Sequence, residues 1–302
     1  MSQTTESIQV VAERRELRRT WLGVVGIFFK NTAVLTGTII LLLIVIAAIA
    51  APWVSPYDPL AQNLNERLMP PGPSHLFGTD IFGRDIFSRT IWGARVSMEV
   101  GVATVAVGLV LGILVGSISG YYPGRVDQVI MLFNDALLAM PSLLLALTIY
   151  AAVGQGKAGL ANIIVAIGIS MWPGFTRLMR SSVLQIRGLD YVQAAIVLGA
   201  SAPRIMFRHI LPNALAPMIV WGTLRLAVAM LIEASMSFLG VGVQPPTPSW
   251  GNITSDGRQL LQLAPWISTA GGVAIMVAVM SLNLVGDAIR DSLDPRLRGE
   301  RT

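Results

Sequence analysis

The sequence predicts an all-α membrane protein with six transmembrane helices. Of its 302 residues, 53% are hydrophobic and only 13% are charged, against roughly 25% charged in soluble domains. Mean hydropathy is +0.64. Six stretches each supply the roughly 20 mostly apolar residues that a helix rising about 1.5 Å per residue needs to cross a hydrocarbon core about 30 Å thick. Strands in lipid would have to close into a barrel and would alternate in polarity over about 10 residues, so these apolar runs are read as helices.

The chain begins with a tail, residues 1–32, in which Arg14, Arg15, Arg18 and Arg19 precede Trp21, Leu22, Val25, Phe28 and Phe29 at helical spacing. That order predicts an N-terminal interfacial helix lying along a membrane surface. The first span, 33–54, has an apolar run too long for a signal peptide and follows the tail, so it is expected to stay uncleaved. It forms one unit with an external segment, the two together covering 33–95. Pro56, Pro59, Pro70, Pro71 and Pro73 keep that segment irregular, since proline fixes φ and withholds a donor. Its end, HLFGTDIFGRDIFSR at 75–89, interleaves Asp80, Arg84, Asp85 and Arg89 with Phe77, Phe82 and Phe87. The mixture predicts a packed cap.

Residues 96–302 form the main transmembrane unit, with five spans at 96–120, 126–153, 160–180, 214–239 and 266–286. Gly108, Gly112, Gly116 and Gly120 stack on one face of the second span. Small residues let backbones approach where lipid offers no hydrophobic drive; the spacing fits a crossing within the chain and a contact with a second subunit equally. Pro141 is expected to bend the third span. Arg and Lys concentrate in the tail and in the loops around Arg125, Arg187, Arg204 and Arg208, which places these loops and both termini in the cytosol. The pI near 10.1 comes from cations dispersed among loops, a distribution suited to anionic lipid headgroups and not to nucleic acid.

Ionisable groups inside predicted spans include Glu99, Asp127, Asp135, Arg225 and Glu233, with Asn134 beside Asp135. A charge facing lipid costs at least about 2.5 kcal/mol near the bilayer centre, so these side chains are expected to face a partner helix or a wet cavity. Glu99, Asn134, Asp135, Arg225 and Glu233 are the candidates for a translocation path or gate. Arg95 and Glu99, four apart, have the spacing of a helical ion pair.

The cytosolic loop 181–213 is the most informative stretch. Val192, Ala195, Ile196 and Gly199 recur at helical spacing, Gly199 permits a corner, and Pro203 suits the first turn of a second helix bearing Met206, Phe207, Ile210 and Leu211. Pro212 is expected to end that helix or bend it back toward the membrane. A lipid-resting hairpin would account for the amphipathicity, though not for Ala194, Ala195, Gly199 and Pro212 at these intervals.

Within this loop, QAAIVLGASAPRIMFRHILP resembles the EAA loop of ABC-importer permeases: Ala194, Ala195, Gly199 and Pro212 match its spacing, Gln193 replaces the usual glutamate, and His209 occupies the slot of an isoleucine displaced to Ile210. GTDIFGRDIFSR at 78–89, FLGVGVQPPTPSWG at 238–251 and NLVGDAIRDSLDPRLRG at 283–299 are similar to the C-type permease subunits of the dipeptide, oligopeptide and nickel importer family. The resemblance implies a type I importer fold. It further implies a bacterial inner-membrane location, a homologous B-type permease, two ABC ATPase subunits and an extracytoplasmic substrate-binding protein. Tyr191, Gln193, Ala194, Ala195, Gly199, Ala200 and Pro212 would then couple to the ATPase, and peptides would be the cargo, with nickel or another small solute as the alternative.

The chain carries no G-x-x-x-x-G-K-[ST] phosphate loop; the fragment GQGKAG at 154–159 has the wrong spacing. ATP and magnesium are therefore expected on partner subunits, and this chain is expected to be non-catalytic and to carry no cofactor of its own. No cysteine is present, which excludes disulfides and thiolate metal sites. His75 and His209 lie on opposite sides, so no two-histidine metal site is expected. A proton-coupled secondary carrier would use Glu99, Asp135 and Glu233 as a relay and would show internal repeats, which the sequence lacks.

Overall fold

The computed structural model describes residues 31–153 and 159–293. The interfacial helix expected around Trp21–Phe29 lies outside them. Five helices are long and apolar enough to cross a membrane among the described residues: α1 (Thr32–Val54), α2 (Ile86–Tyr121), α5 (Gly159–Arg187), α8 (Leu211–Phe238) and α10 (Pro265–Leu293). Two shorter helices, α3 (Arg125–Leu138) and α4 (Ser142–Val153), pass the same test only together and are bent by 100° where they meet. Counting that pair as one gives six spans. The remaining helices are α6 (Asp190–Val197), α7 (Ala202–Ile205) and α9 (Trp250–Gly257).

One expectation, the bend at Pro141, is sharpened, and two need correction. The third span is a broken one: the chain turns through Ala139 and Met140, and Pro141, which has no N–H to continue the α3 ladder, stands just ahead of Ser142 at the start of α4. The second span starts ten residues early, at Ile86, because the Asp85 carboxylate caps it by accepting from the Ser88 N–H at 2.7 Å. Pro212 does not end a helix. The backbone runs from α7 through a π-helical turn, Met206–Ile210, into α8, with Leu211 N–H donating to the Met206 carbonyl. Widening that turn accommodates a proline ring that would otherwise collide with the carbonyl one α-turn back.

The crossing of α2 with α5 organises the molecule. All four stacked glycines face α5, which resolves the choice left open by their spacing in favour of a contact within the chain. A Cβ at Gly108 would lie 3.1 Å from the Gly168 carbonyl, at Gly116 2.6 Å from the Thr176 carbonyl, and at Gly120 2.7 Å from Val183 Cβ. At Gly112 it would strike Phe175 Cβ outright, with the Phe175 carbonyl carbon at 2.8 Å. Phe175, Met179 and Val183 consequently seat fully buried in one core shared by α2, α4, α5, α6, α7 and α8. Dispersion from that close approach replaces the hydrophobic drive that lipid withholds.

A second core, built on Ala48, Ala94, Ala227, Met230, Trp250, Ala278 and Leu282, joins α1 and α10 to the bundle. The outward side of α1 exposes Ile39, Leu42, Leu43, Ile46 and Ile49, the all-round apolar character of a helix bathed in lipid. At one end of the bundle, the segment between α1 and α2 folds into a cap. His75 is buried there, with Nδ1 2.9 Å from Asp85 and Nε2 3.5 Å from Glu66, and a small core of Ile86, Ala264 and Ile267 lies beneath. The α6–α7 elbow protrudes from the other end.

Gly112→Ala should destabilise the protein by about 1–3 kcal/mol through overpacking, read as a lowered Tm in detergent. Gly272→Ala, at a helical position with open space around it, should leave Tm unchanged or slightly raised.

Candidate functional site

The elbow is built from local rules. α6 ends in a Schellman closure: Gly199 adopts φ +80° and donates to the Ile196 carbonyl at 3.0 Å, and Ala200 donates to the Ala195 carbonyl at 3.1 Å. Val192, Ile205 and Ile210 are buried in the main core, with Ile196 and Ala200 packed against it. The elbow is therefore rooted in the same cluster that holds Phe175. Gln193 Nε2 donates to the Arg187 carbonyl at 2.7 Å, and Asn213 Nδ2 donates to the His209 carbonyl at 2.7 Å and to the Tyr191 hydroxyl at 3.3 Å. These bonds tie α6 to the end of α5 and to the start of α8.

Above that root the tip is bare and apolar. Val197 is 85% exposed, Leu198 86% and Phe207 70%. Gln193, Ala194 and Gly199 are exposed beside them, and Ala195 is half-buried. Hydrophobic side chains on the outward side of an amphipathic helix mark a contact surface. Phe207 belongs to the apolar edge expected of the second helix, whereas Val197 and Leu198 fall off the inward i, i+3, i+4 stripe of the first; their signal is two apolar residues off that stripe, directly before the Gly199 corner.

Two ion pairs join α3 to α5 near the elbow end. Asp127 is gripped by Arg180 through both carboxylate oxygens, each at 2.6 Å, and accepts from the Ser119 hydroxyl at 2.5 Å. Two turns along α3, Asp135 accepts from Arg177 at 2.5 Å. The second pair is open, its side chains 57% and 54% exposed. Between the pairs Asn134 is buried, and neither end of its amide has a hydrogen-bond partner among the described residues. Phe133, next to it in sequence, has its ring 6.5 Å from that of Trp172.

Arg225 lies near the middle of α8. Its guanidinium carbon sits 4.1 Å from the centre of the Trp221 ring, and that ring meets Phe175 edge-on at 4.8 Å and rests against Gly174. Arg225 forms no ion pair among the described residues. Glu99 and Arg95 are both exposed on α2, and no ion pair joins them there, contrary to the pairing their spacing allowed.

Glu233 stands apart from this flank. It is 1% exposed and accepts hydroxyl donors from Ser237 at 2.8 Å and Ser249 at 3.2 Å. It thereby holds the segment 239–249 against α8, where Gly242 and Gly251 leave room for Ser237. Trp250 completes the attachment, its backbone N–H donating to the Ser97 hydroxyl at 3.2 Å and its indole N–H to the Thr90 carbonyl at 2.8 Å. Close by, Arg84 and Arg89 both reach Asp256, at 3.4 and 3.2 Å, and Arg84 also reaches Asp80 at 2.6 Å. Burial pushes the Asp256 carboxyl above its ordinary pKa, with Arg89 and Arg84 pulling it back.

A family model described as binding-protein-dependent transport system inner membrane component matches residues 108–299. Another, described as the N-terminal transmembrane domain of oligopeptide transport permease C, matches residues 15–71. The chain is 43% identical over 277 residues to the di/tripeptide transport system permease protein DppC of Pseudomonas aeruginosa, covering 90% of each. It is 41% identical over 278 residues to the oligopeptide transport system permease protein OppC of Bacillus subtilis, covering 92% of this chain and 90% of that one. In fold it is similar to a chain of the MetNI methionine ABC transporter in inward-facing conformations, with a TM-score of 0.57 at 18% identity over 68% of this chain and 97% of that one.

Asp256→Ala should leave Arg84 and Arg89 sharing Asp80 alone and loosen the attachment of the cap to α9. The expected cost is about 1–3 kcal/mol, seen as a lower Tm and as faster proteolysis within residues 55–85.

Proposed function

The chain belongs to the family of binding-protein-dependent transport system inner membrane components, and on that footing we propose that it is one permease subunit of an ATP-driven importer of di- or oligopeptides. It pairs with a homologous B-type permease, and two ABC ATPase subunits dock beneath the pair, one of them gripping this elbow. Cargo arrives at the cap end from an extracytoplasmic binding protein. The elbow end, with both termini, is cytosolic; lipid surrounds the apolar helices. ATP and magnesium reside on the ATPases, so this subunit performs no chemistry.

One observation carries the reading: a bare apolar tip, Val197, Leu198 and Phe207, stands on a root buried in the transmembrane core. A docking surface needs the first property and a lever needs the second. Force on the tip passes through Val192, Ile205 and Ile210 into the core that packs α5 and α8. Close-packed interiors shift as units instead of deforming continuously. Closure of the ATPase pair would therefore swing the helices between inward-open and outward-open arrangements.

Tyr191, Gln193, Ala194, Ala195, Gly199, Ala200 and Pro212 shape and present that tip. Gly199 supplies the left-handed corner, and the space beside it is open, so a large side chain there would project into the docking surface. Asn134, Asp135 and Arg225 are assigned to the flank facing the pathway, with Glu99 on the exposed side of α2. Glu233 contributes by fixing the loop before α9, where the pathway opens toward the binding protein. Peptide cargo is supported by the relatives from Pseudomonas aeruginosa and Bacillus subtilis, which belong to di/tripeptide and oligopeptide transport systems.

Leu198→Asp should strip the ATPase subunits from the purified complex and lower coupled uptake by roughly 30-fold, the equivalent of losing a 2 kcal/mol contact. Full ATPase retention with undiminished uptake in this variant would sink the docking role. In the same assay Gly199→Trp should impair uptake more severely than Gln193→Ala, which removes only the bond to the Arg187 carbonyl.

A further inference from the structure

We propose that the Arg225 guanidinium, laid on the Trp221 ring, receives the C-terminal carboxylate of a peptide in transit. The proposal deepens the peptide-import reading and rests on it.

Arg225 is about 20 Å of helix from either end of α8, where a cation facing hydrocarbon is least tolerated. Carboxylates elsewhere in the bundle are engaged: Asp127 by Arg180, Asp135 by Arg177, and Glu233 by two serine hydroxyls. The remaining acids on neighbouring spans, Glu99 of α2 and Asp287 and Asp291 of α10, make no ion pair with it among the described residues. Arg225 is thus a cation kept within the membrane without an anion from the described residues. Its surroundings identify the side it serves. Trp221 rests on Gly174 of α5, and Arg177, one turn further along α5, lies on the same flank. The Arg177–Asp135 pair on that flank is more than half exposed. Polar groups left open along one flank of otherwise apolar helices face water, so this flank lines a wet passage.

The geometry selects the ligand. The guanidinium carbon lies over the indole and its N–H groups make no hydrogen bond among the described residues, so they stay free to form the paired bonds that fit a carboxylate. Trp221 is wedged between Phe175 and Gly174, which holds the platform still. Every linear peptide presents one terminal carboxylate whatever its side chains, so such a station recognises a class of cargo without reading its sequence. Half-burial of Arg225 leaves competing water in reach, which keeps the hold weak enough for release.

The test uses the whole complex with its binding protein in proteoliposomes. ATP-driven uptake is measured for a dipeptide and for its C-terminal amide, each at concentrations that load the binding protein equally. The reading is the acid-to-amide uptake ratio, in which delivery effects cancel between wild type and variant. Arg225→Met should lower the ratio about tenfold. Arg225→Lys, which keeps the charge and loses the flat fork, should give an intermediate ratio and serves if the methionine variant fails to assemble. An unchanged ratio overturns the proposal; if both uptakes fall together, Arg225 is assigned to a contact with the second permease. Absence of ATP-driven peptide uptake in the wild type would instead overturn the import reading itself.

Discussion

The close approach of α2 and α5 is the contact on which the rest depends. Four glycines bring one helix face against the Phe175, Thr176 and Arg180 backbone, nearer than any residue with a Cβ allows. Phe175 is seated by that approach, and Trp221 is in turn seated by Phe175. The same core receives Val192, Ile205 and Ile210 from the elbow. The bare apolar tip of the elbow and the aromatic platform within the spans are therefore parts of one packed body, and a displacement of either is felt by the other.

Polar groups within the spans divide by what satisfies them. Asp127 has two bonds from Arg180 and one from Ser119, and Glu233 has two hydroxyls; both are fasteners, Asp127 of α3 to α5 and Glu233 of the loop before α9 to α8. Asp135 with Arg177 is open to its surroundings, and Arg225 has only an indole face. A fastener needs its valences filled from within, since an unpaired buried group is costly. A group that handles a passing ligand must keep some valence free.

Much of the architecture was legible before any coordinates. Apolar runs of membrane length located the helices, though α2 begins ten residues ahead of its run, and Pro141 marked the break between α3 and α4, though not its 100° angle. The cap was legible from charges interleaved with aromatics, and the elbow from Ala194, Ala195, Gly199 and Pro212. Legibility failed where a long-range partner decides the outcome. By local rules Pro212 ends a helix or bends it back toward the membrane; in the structure a π-helical turn absorbs it and the helix continues. Arg95 and Glu99 had pairing geometry along the helix and do not pair. Val197 and Leu198 are invisible to a search for inward stripes, and Phe207, legible as part of an apolar edge, was not legible as outward, because outwardness is a property of what surrounds a residue.

By itself the sequence determined what the protein is made of and where it resides. Hydrophobic length and the cost of unpaired backbone in lipid impose helices, and proline, glycine and capping residues set their corners through local sterics. Only the tertiary structure decided which helices meet. It turned an ambiguous glycine stripe into the α2–α5 crossing, separated Glu233 from Arg225 although both belong to α8, and left one guanidinium on an indole without a carboxylate. Those outcomes depend on side chains far apart in the chain competing for the same small volume, and no local propensity contains that competition.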